Sequence, residues 1–385
     1  VLAQQGKFSR RQKPARLICG VGRVKHTIFR IHMDYSDGDL LEDYASFLND
    51  GAHLAVMPVA RLDLQWSPLS FPGNITFYPK GYAELDNLGI VPNDPASKSL
   101  AERASAASGI DEDILSRHPL VVFPFRSQWQ QLRKQGNKDN MAFIRKLSDY
   151  VDRACFNYIR YRQCPLFSEG DPIHNIPGKA GQVDSNHMMS AALLYCHDIR
   201  ESRIIAGDAF SHIVTRGMGL PLEPIEHSDF PSDGEVGHIV THALFSYTEM
   251  LEANSATARF IQALALLEFL AFPDEYQKFE KVKKVIARYV AKSPAEYDQL
   301  LDRFYELTGK KDPQSNKLIG YRTRVVHMGD RIEDVVPNDQ DQKELFVELD
   351  SYLRAVIDHM VAHSELSFEN YLHVREQLRP YESPQ

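Results

Sequence analysis

Chemistry in this chain falls to its histidines and arginines, because no P-loop, GxGxxG, GxSxG or HExxH pattern occurs in it. The stretch Arg322-Thr323-Arg324-Val325-Val326-His327 sets an arginine and a histidine five positions apart. Histidine exchanges protons near neutrality and arginine stays charged. The two residue types therefore suit RNA cleavage, the guanidinium meeting the phosphorane oxygens while the imidazole carries the proton. On an ideal α-helix, steps of about 100° leave Arg322 and His327 roughly 140° apart, with Thr323 almost directly below His327. One chain makes a lopsided site. Two such helices paired about a two-fold axis would converge two arginines and two histidines on one cleft. The spacing recurs at Arg354 and His359, with Ala355 where the first copy has Thr323, and so supplies an internal control. The pairs His238/His242 and His359/His363 each share a helix face within reach of a metal. Neither has a zincin's intervening glutamate and no third ligand is legible, so neither a metal nor another cofactor is expected.

The elements that must position these residues follow from periodicity. Residues 26–135 show alternation and turn signals, as in Thr27 to His32, Val59 to Leu64, Asn74 to Tyr78 and Leu120 to Phe125, the last cut short by Pro124. A helix is expected within Leu100 to Leu115. From residue 136 the period moves to about 3.6. Helical patterns run to about Tyr161, resume near Ser185 and near Glu201, and continue from Gly234 to Ala253, Ser255 to Phe272 and Asp274 to Ala291. Ser293-Pro294-Ala295-Glu296 is a capping box that opens another helix, with Gly309 as its stop. Further helices are expected over 316–329, 338–363 and 367–378. The predicted class is α+β: a basic flexible arm (1–25), a β-rich or mixed domain (26–135), a helical middle region (136–253) and an all-helical bundle (254–378).

Composition sets outer bounds. With 385 residues, 43% of them hydrophobic, the chain has ample material for real cores, and a net charge of −8 means that nucleic acid must be held by a local basic patch. The best candidate track is Lys281, Lys284 and Arg288, within a run from Lys278 to Lys292. Four cysteines without a CxxC pair argue against a disulfide scaffold and for a reducing, cytoplasmic setting. No apolar run approaches the ~20 residues of a membrane helix, so no membrane association is expected.

The surroundings of Arg322 resemble the higher eukaryote and prokaryote nucleotide-binding (HEPN) superfamily, in particular its Apea-like branch. Those domains open with an Arg-Phe and an apolar helix carrying Leu-Glu, and close on a Tyr-x-x-Arg-Ser-x-x-Val-His-Gly-like motif. Here Arg259-Phe260 leads to Leu267-Glu268, and Arg322 to His327 follows about fifty residues later. The resemblance covers about residues 254–378. Thr323 stands for the usual Ser or Asn, Tyr321 directly precedes the Arg, and Gly329 comes one place late. The resemblance implies a bundle of HEPN type acting on RNA as a homodimeric, metal-independent endoribonuclease, a toxin or antiviral effector released by a trigger. Arg322 would bind the scissile phosphate, His327 would activate the 2′-hydroxyl or protonate the leaving oxygen, and Thr323 would orient His327. Glu268, Arg324 and Tyr321 would line the cleft, and the N-terminal domain would receive a trigger ligand or protein. The alternative is a non-catalytic HEPN-like binding or dimerisation protein.

Overall fold

The computed structural model describes residues 38–65, 67–88, 109–164, 176–183, 189–208, 220–253 and 255–378. The basic arm and the alternation from Thr27 to His32 lie outside them. The strands are β1 (His53–Pro58), β2 (Leu62–Asp63), β3 (Leu69–Phe71), β4 (Ile75–Tyr78), β5 (Leu120–Phe125), β6 (Met189–Cys196), β7 (Glu201–Asp208) and β8 (Leu220–Pro221). Among the described residues, six of them form one antiparallel sheet ordered β3-β4-β5-β1-β6-β7, and β2 pairs with β8 in parallel.

Both faces of the sheet are covered, and the strand period of two divides its side chains between them. Leu54, Val56, Val122, Leu193 and Tyr195 face the helices α1 (Leu40–Asp43), α2 (Ala45–Asn49) and α3 (Glu112–Ser116), meeting Leu40, Tyr44, Leu48 and Leu115. Ala55, Met57, Val121, Phe123 and Leu194 belong to the other core, together with Ile144, Val151, Phe156 and Ile159. Those four come from a continuous helical rod that follows α4 (Trp129–Lys134): α5 (Asn137–Val151), a π-helical turn (Asp152–Phe156) and α6 (Asn157–Gln163).

The second half contains α7 (Glu235–Glu252), α8 (Ala256–Ala271), α9 (Phe279–Val290), α10 (Pro294–Thr308), α11 (Ile332–Val335), α12 (Asp339–Val361) and α13 (Phe368–Glu376). The fold is α+β with a helical C-terminal part. Ser255, Ser293 and Ser367 cap α8, α10 and α13 by accepting from the N–H groups of Ala258, Glu296 and Asn370. Helix α12 runs through the centre, burying Phe346, Leu349, Leu353, Val356, Ile357 and Met360.

Two polar joints tie the rod beneath the sheet to these helices. Arg160, fully buried, donates to Asp152 at 2.8 Å and to Asn157 at 3.3 Å, and lies 4.0 Å over the Phe156 ring. Thr248 of α7 donates to the same Asn157 oxygen. In the second joint the Tyr161 hydroxyl donates to Asp358 at 2.8 Å, Arg354 donates to the Tyr247 hydroxyl at 2.8 Å, and Tyr247 donates to Asp350 at 2.6 Å.

The middle region is not helical throughout. The stretches expected to be helical near Ser185 and Glu201 include β6 and β7, so the sheet takes its last two strands from within 136–253. Strand β6 reads Met-Ser-Ala-Ala-Leu-Leu-Tyr-Cys and is buried on both sides. A run apolar on both faces has no period of two, and its Ala and Leu favour helix, so only the tertiary setting makes it a strand. Pro124 does not end β5, which continues to Phe125 opposite His53. Pairing with β4 stops at Val122, so beyond it β5 has a strand neighbour on the β1 side only, where a proline is tolerated. Residues 274–278 precede α9 instead of opening it. The expected helix over 316–329 is helical only from Tyr321, because 310–319 folds back through a Lys311 to Leu318 bridge.

Candidate functional site

Thr323–Met328 forms a second π-helical turn, and this changes the geometry of the Arg/His pair. In a π-turn the hydrogen bond spans i to i+5, and the wider turn rotates each residue by only about 80°. Five such steps leave Arg322 and His327 about 40–50° apart, so the wide offset expected from an ideal α-helix is much reduced. β-Branched Thr323, Val325 and Val326 crowd a regular helical turn and favour the wider one. Gly329, at φ 81°, closes it in the left-handed conformation, its N–H donating to the Arg324 carbonyl.

Neighbouring elements clamp the turn at both ends. Gly320 sits so close to α10 that a Cβ there would lie 2.8 Å from the Thr308 carbonyl carbon. Thr323 is buried and its hydroxyl donates to the Thr308 carbonyl at 3.4 Å, not to His327. On the far side, Thr257 of α8 accepts from the Ile332 N–H at 2.9 Å and donates to Glu333 at 2.7 Å. Arg324 turns back onto Asp330, Nε to Oδ2 at 2.8 Å.

Arg322 pairs with Glu268 of α8, Nη2 to Oε1 at 3.0 Å, and each side chain keeps about a quarter of its exposure (27% and 24%). Their approach across 54 positions brings two of the sequence-predicted residues together. His327 is exposed, as are Val326 and Met328 beside it. Tyr321 faces the other way, its ring 5.9 Å from the Arg303 guanidinium. The Arg322/Glu268 pair stays partly solvated and His327 of the same turn is exposed, whereas Thr323, Arg324 and Tyr321 are turned to structural partners. Asp330 and Thr308 were not legible as partners, since nothing in spacing links Arg324 to Asp330 or Thr323 to Thr308 before the turn is known.

The Arg354/His359 copy behaves differently. Arg354 on α12 is held by Asp350 and Tyr247 and lies 4.7 Å over the Tyr161 ring. His359 diverges into another cluster, stacked on His363 at 4.5 Å with its Nδ1 3.1 Å from the Tyr371 hydroxyl. Burial, and then the like charge of His363, push the His359 pKa down from 6.5 to about 4. The unfolded chain therefore binds a proton between these values that the folded chain refuses, and stability falls as pH drops from about 6.5 toward 4. Thermal unfolding followed across that window should show this loss, and His359→Gln should flatten it; an unchanged slope would place the titration elsewhere.

His238 and His242 are exposed on α7, His242 edge-on to Phe269 at 4.8 Å. Among the described residues no three His, Cys, Asp or Glu side chains converge as a metal ion would require. In the basic track, Lys281 is exposed, whereas Lys284 and Arg288 are half-buried and already engaged by neighbouring groups. Lys283 pairs with Glu280 at 3.0 Å. No helix among the described residues is long and apolar enough to cross a membrane. No family model matches the chain, no curated protein matches it, and no solved structure matches it.

Proposed function

We propose that this chain is a metal-independent endoribonuclease of HEPN type that cuts RNA by attack of the ribose 2′-hydroxyl. The observation that supports this reading is the π-turn, whose wider pitch reduces the angular offset between Arg322, paired with Glu268, and the exposed His327. In the reaction the scissile phosphate displaces Glu268 from Arg322, and the guanidinium then meets charge that grows in the transition state. His327 takes the proton from the 2′-hydroxyl or returns one to the leaving oxygen. Lys281 supplies one phosphate contact outside the cleft. The setting is cytoplasmic, where the buried thiols of Cys155, Cys164 and Cys196 stay reduced. A regulated toxin or antiviral effector fits a site whose arginine is held by an internal carboxylate until a trigger acts on the N-terminal part.

The active form in this reading is a homodimer. Ile261 on α8, with Val326 and Met328 in the turn, leaves apolar surface exposed in the two elements that hold the Arg322/Glu268 pair. A second copy laid there would bring two Arg/His pairs to one cleft. Ile261→Asp with Met328→Asp should convert the species seen by sedimentation to monomer and remove RNA cleavage together. The competing non-catalytic reading draws on the same ion pair, since a guanidinium already neutralised by Glu268 is not poised for phosphate. Purified chain incubated with total RNA separates the two: cleavage at an equal rate with and without EDTA supports the nuclease. RNA left intact supports the binding protein, and metal-restored cleavage would return attention to His238/His242 and His359/His363.

A further inference from the structure

A cavity of about 360 Å³ lies on the other side of Tyr321, between α10, the segment Val335 to Pro337 and the first turns of α12. Its walls are of two kinds. Tyr321, Val336, Pro337 and Leu345 supply aromatic and aliphatic surface, while Asp341, Glu344 and Glu348 line one side from a single helix. Glu348 is already neutralised: Arg303 grips it through Nε at 2.9 Å and Nη2 at 2.8 Å, and the Tyr352 hydroxyl donates to it at 2.6 Å. Asp341 and Glu344 remain exposed, and among the described residues neither has an ion-pair partner. Glu344 accepts only from the uncharged Gln340 amide at 3.0 Å.

The cavity therefore combines an Arg303/Glu348 ion pair, apolar walls, an aromatic ring and two carboxylates without an ion-pair partner among the described residues. An anion would be repelled, and a purely apolar ligand would leave both carboxylates against it. The described residues hold no cluster suited to a metal ion, because the acids are spread along the helix instead of converging. Positions 341 and 344 share a helix face, with side chains about 5–6 Å apart at Cβ. That spacing matches two ammonium groups joined by three or four methylenes, whose stem would lie on Val336, Pro337 and Leu345 and whose charge would also be attracted to the Tyr321 ring. We propose that this cavity is a binding site for an aliphatic polyamine, its ammonium groups held by Asp341 and Glu344 and its alkyl stem by the apolar walls. The proposal does not depend on the nuclease reading, although Tyr321 adjoins Arg322 and would carry any effect of occupancy to it.

Calorimetric titration of the full chain with spermidine at low salt tests it. Saturable binding of one spermidine per chain is expected. Asp341→Asn with Glu344→Gln should weaken it at least tenfold. Tyr321→Leu should weaken it several-fold, with recovery in Tyr321→Phe. Glu112→Gln with Asp113→Asn, which removes an equal charge from the far face of the sheet, should leave it unchanged. Non-saturating heats, full affinity in the double variant, or displacement by magnesium at matched ionic strength would overturn the proposal in favour of diffuse charge attraction. Tighter binding of N-acetyl-lysine methylamide than of spermidine would overturn it in favour of a lysine side chain from a protein partner.

Discussion

Replacing His327 or Arg322 by Ala is expected to lower RNA cleavage by two or more orders of magnitude, with melting temperature and sedimentation unchanged. Loss of a proton carrier or of a charge partner in the transition state has effects of that size. His327 is exposed, so its removal opens no cavity in the core. Arg322 pairs with Glu268, and both remain partly solvated. His359→Ala should leave cleavage near wild type, because that histidine lies in the separate cluster with His363 and Tyr371. Arg354→Ala should cost stability through Asp350 and Tyr247 but leave the chemistry intact. Folded His327→Ala protein with full activity would remove the assignment, and loss confined to the Arg354/His359 pair would transfer it.

The second large effect concerns the joint between the sheet-bearing half and the helices. Asp152→Ala leaves the Arg160 guanidinium fully buried without its carboxylate, a defect that costs about 3–5 kcal/mol. The remaining hydrogen-bond partners are neutral, the Asn157 side chain and, at 3.4 Å, the Gly178 carbonyl, while the Glu252 carboxylate acts on the guanidinium only through space. Urea unfolding should show the midpoint falling steeply, and Asp152→Asn, which keeps an acceptor, should fall less. A loss below about 1 kcal/mol would mean that Asn157 and Gly178 suffice to hold the charge.

Much of the helical half was legible because its helices carry an apolar stripe and explicit stops. The capping box at Ser293 to Glu296 marks a real start, and α12 lies where its pattern places it. The strands β6 and β7 were not legible, since a sheet covered on both faces removes the alternation by which strands are recognised. At the site, Arg322 and His327 could be picked out by type and spacing, and Glu268 only through the resemblance that its Leu267-Glu268 pair carries. The π-turn that narrows the offset between Arg322 and His327 could not be, because the contacts that flank it, Gly320 against Thr308 and Arg324 on Asp330, are tertiary. Thr323 shows the same limit from the other side: ideal helical geometry points it at His327, and the wider turn gives it to Thr308. Ile261 was not legible as exposed because α8 is apolar around most of its surface and offers no single stripe, and the exposure of Val326 and Met328 depends on the π-turn.

The most direct measurement is the chemistry of the RNA ends left by the purified wild-type chain in EDTA. Attack by the 2′-hydroxyl leaves 2′,3′-cyclic phosphate on one fragment and a free 5′-hydroxyl on the other, and both are expected with the wild-type chain and absent with His327→Ala. Fragments ending in 3′-hydroxyl and 5′-phosphate, which require water as the nucleophile, or RNA that stays intact at every protein concentration, would contradict it.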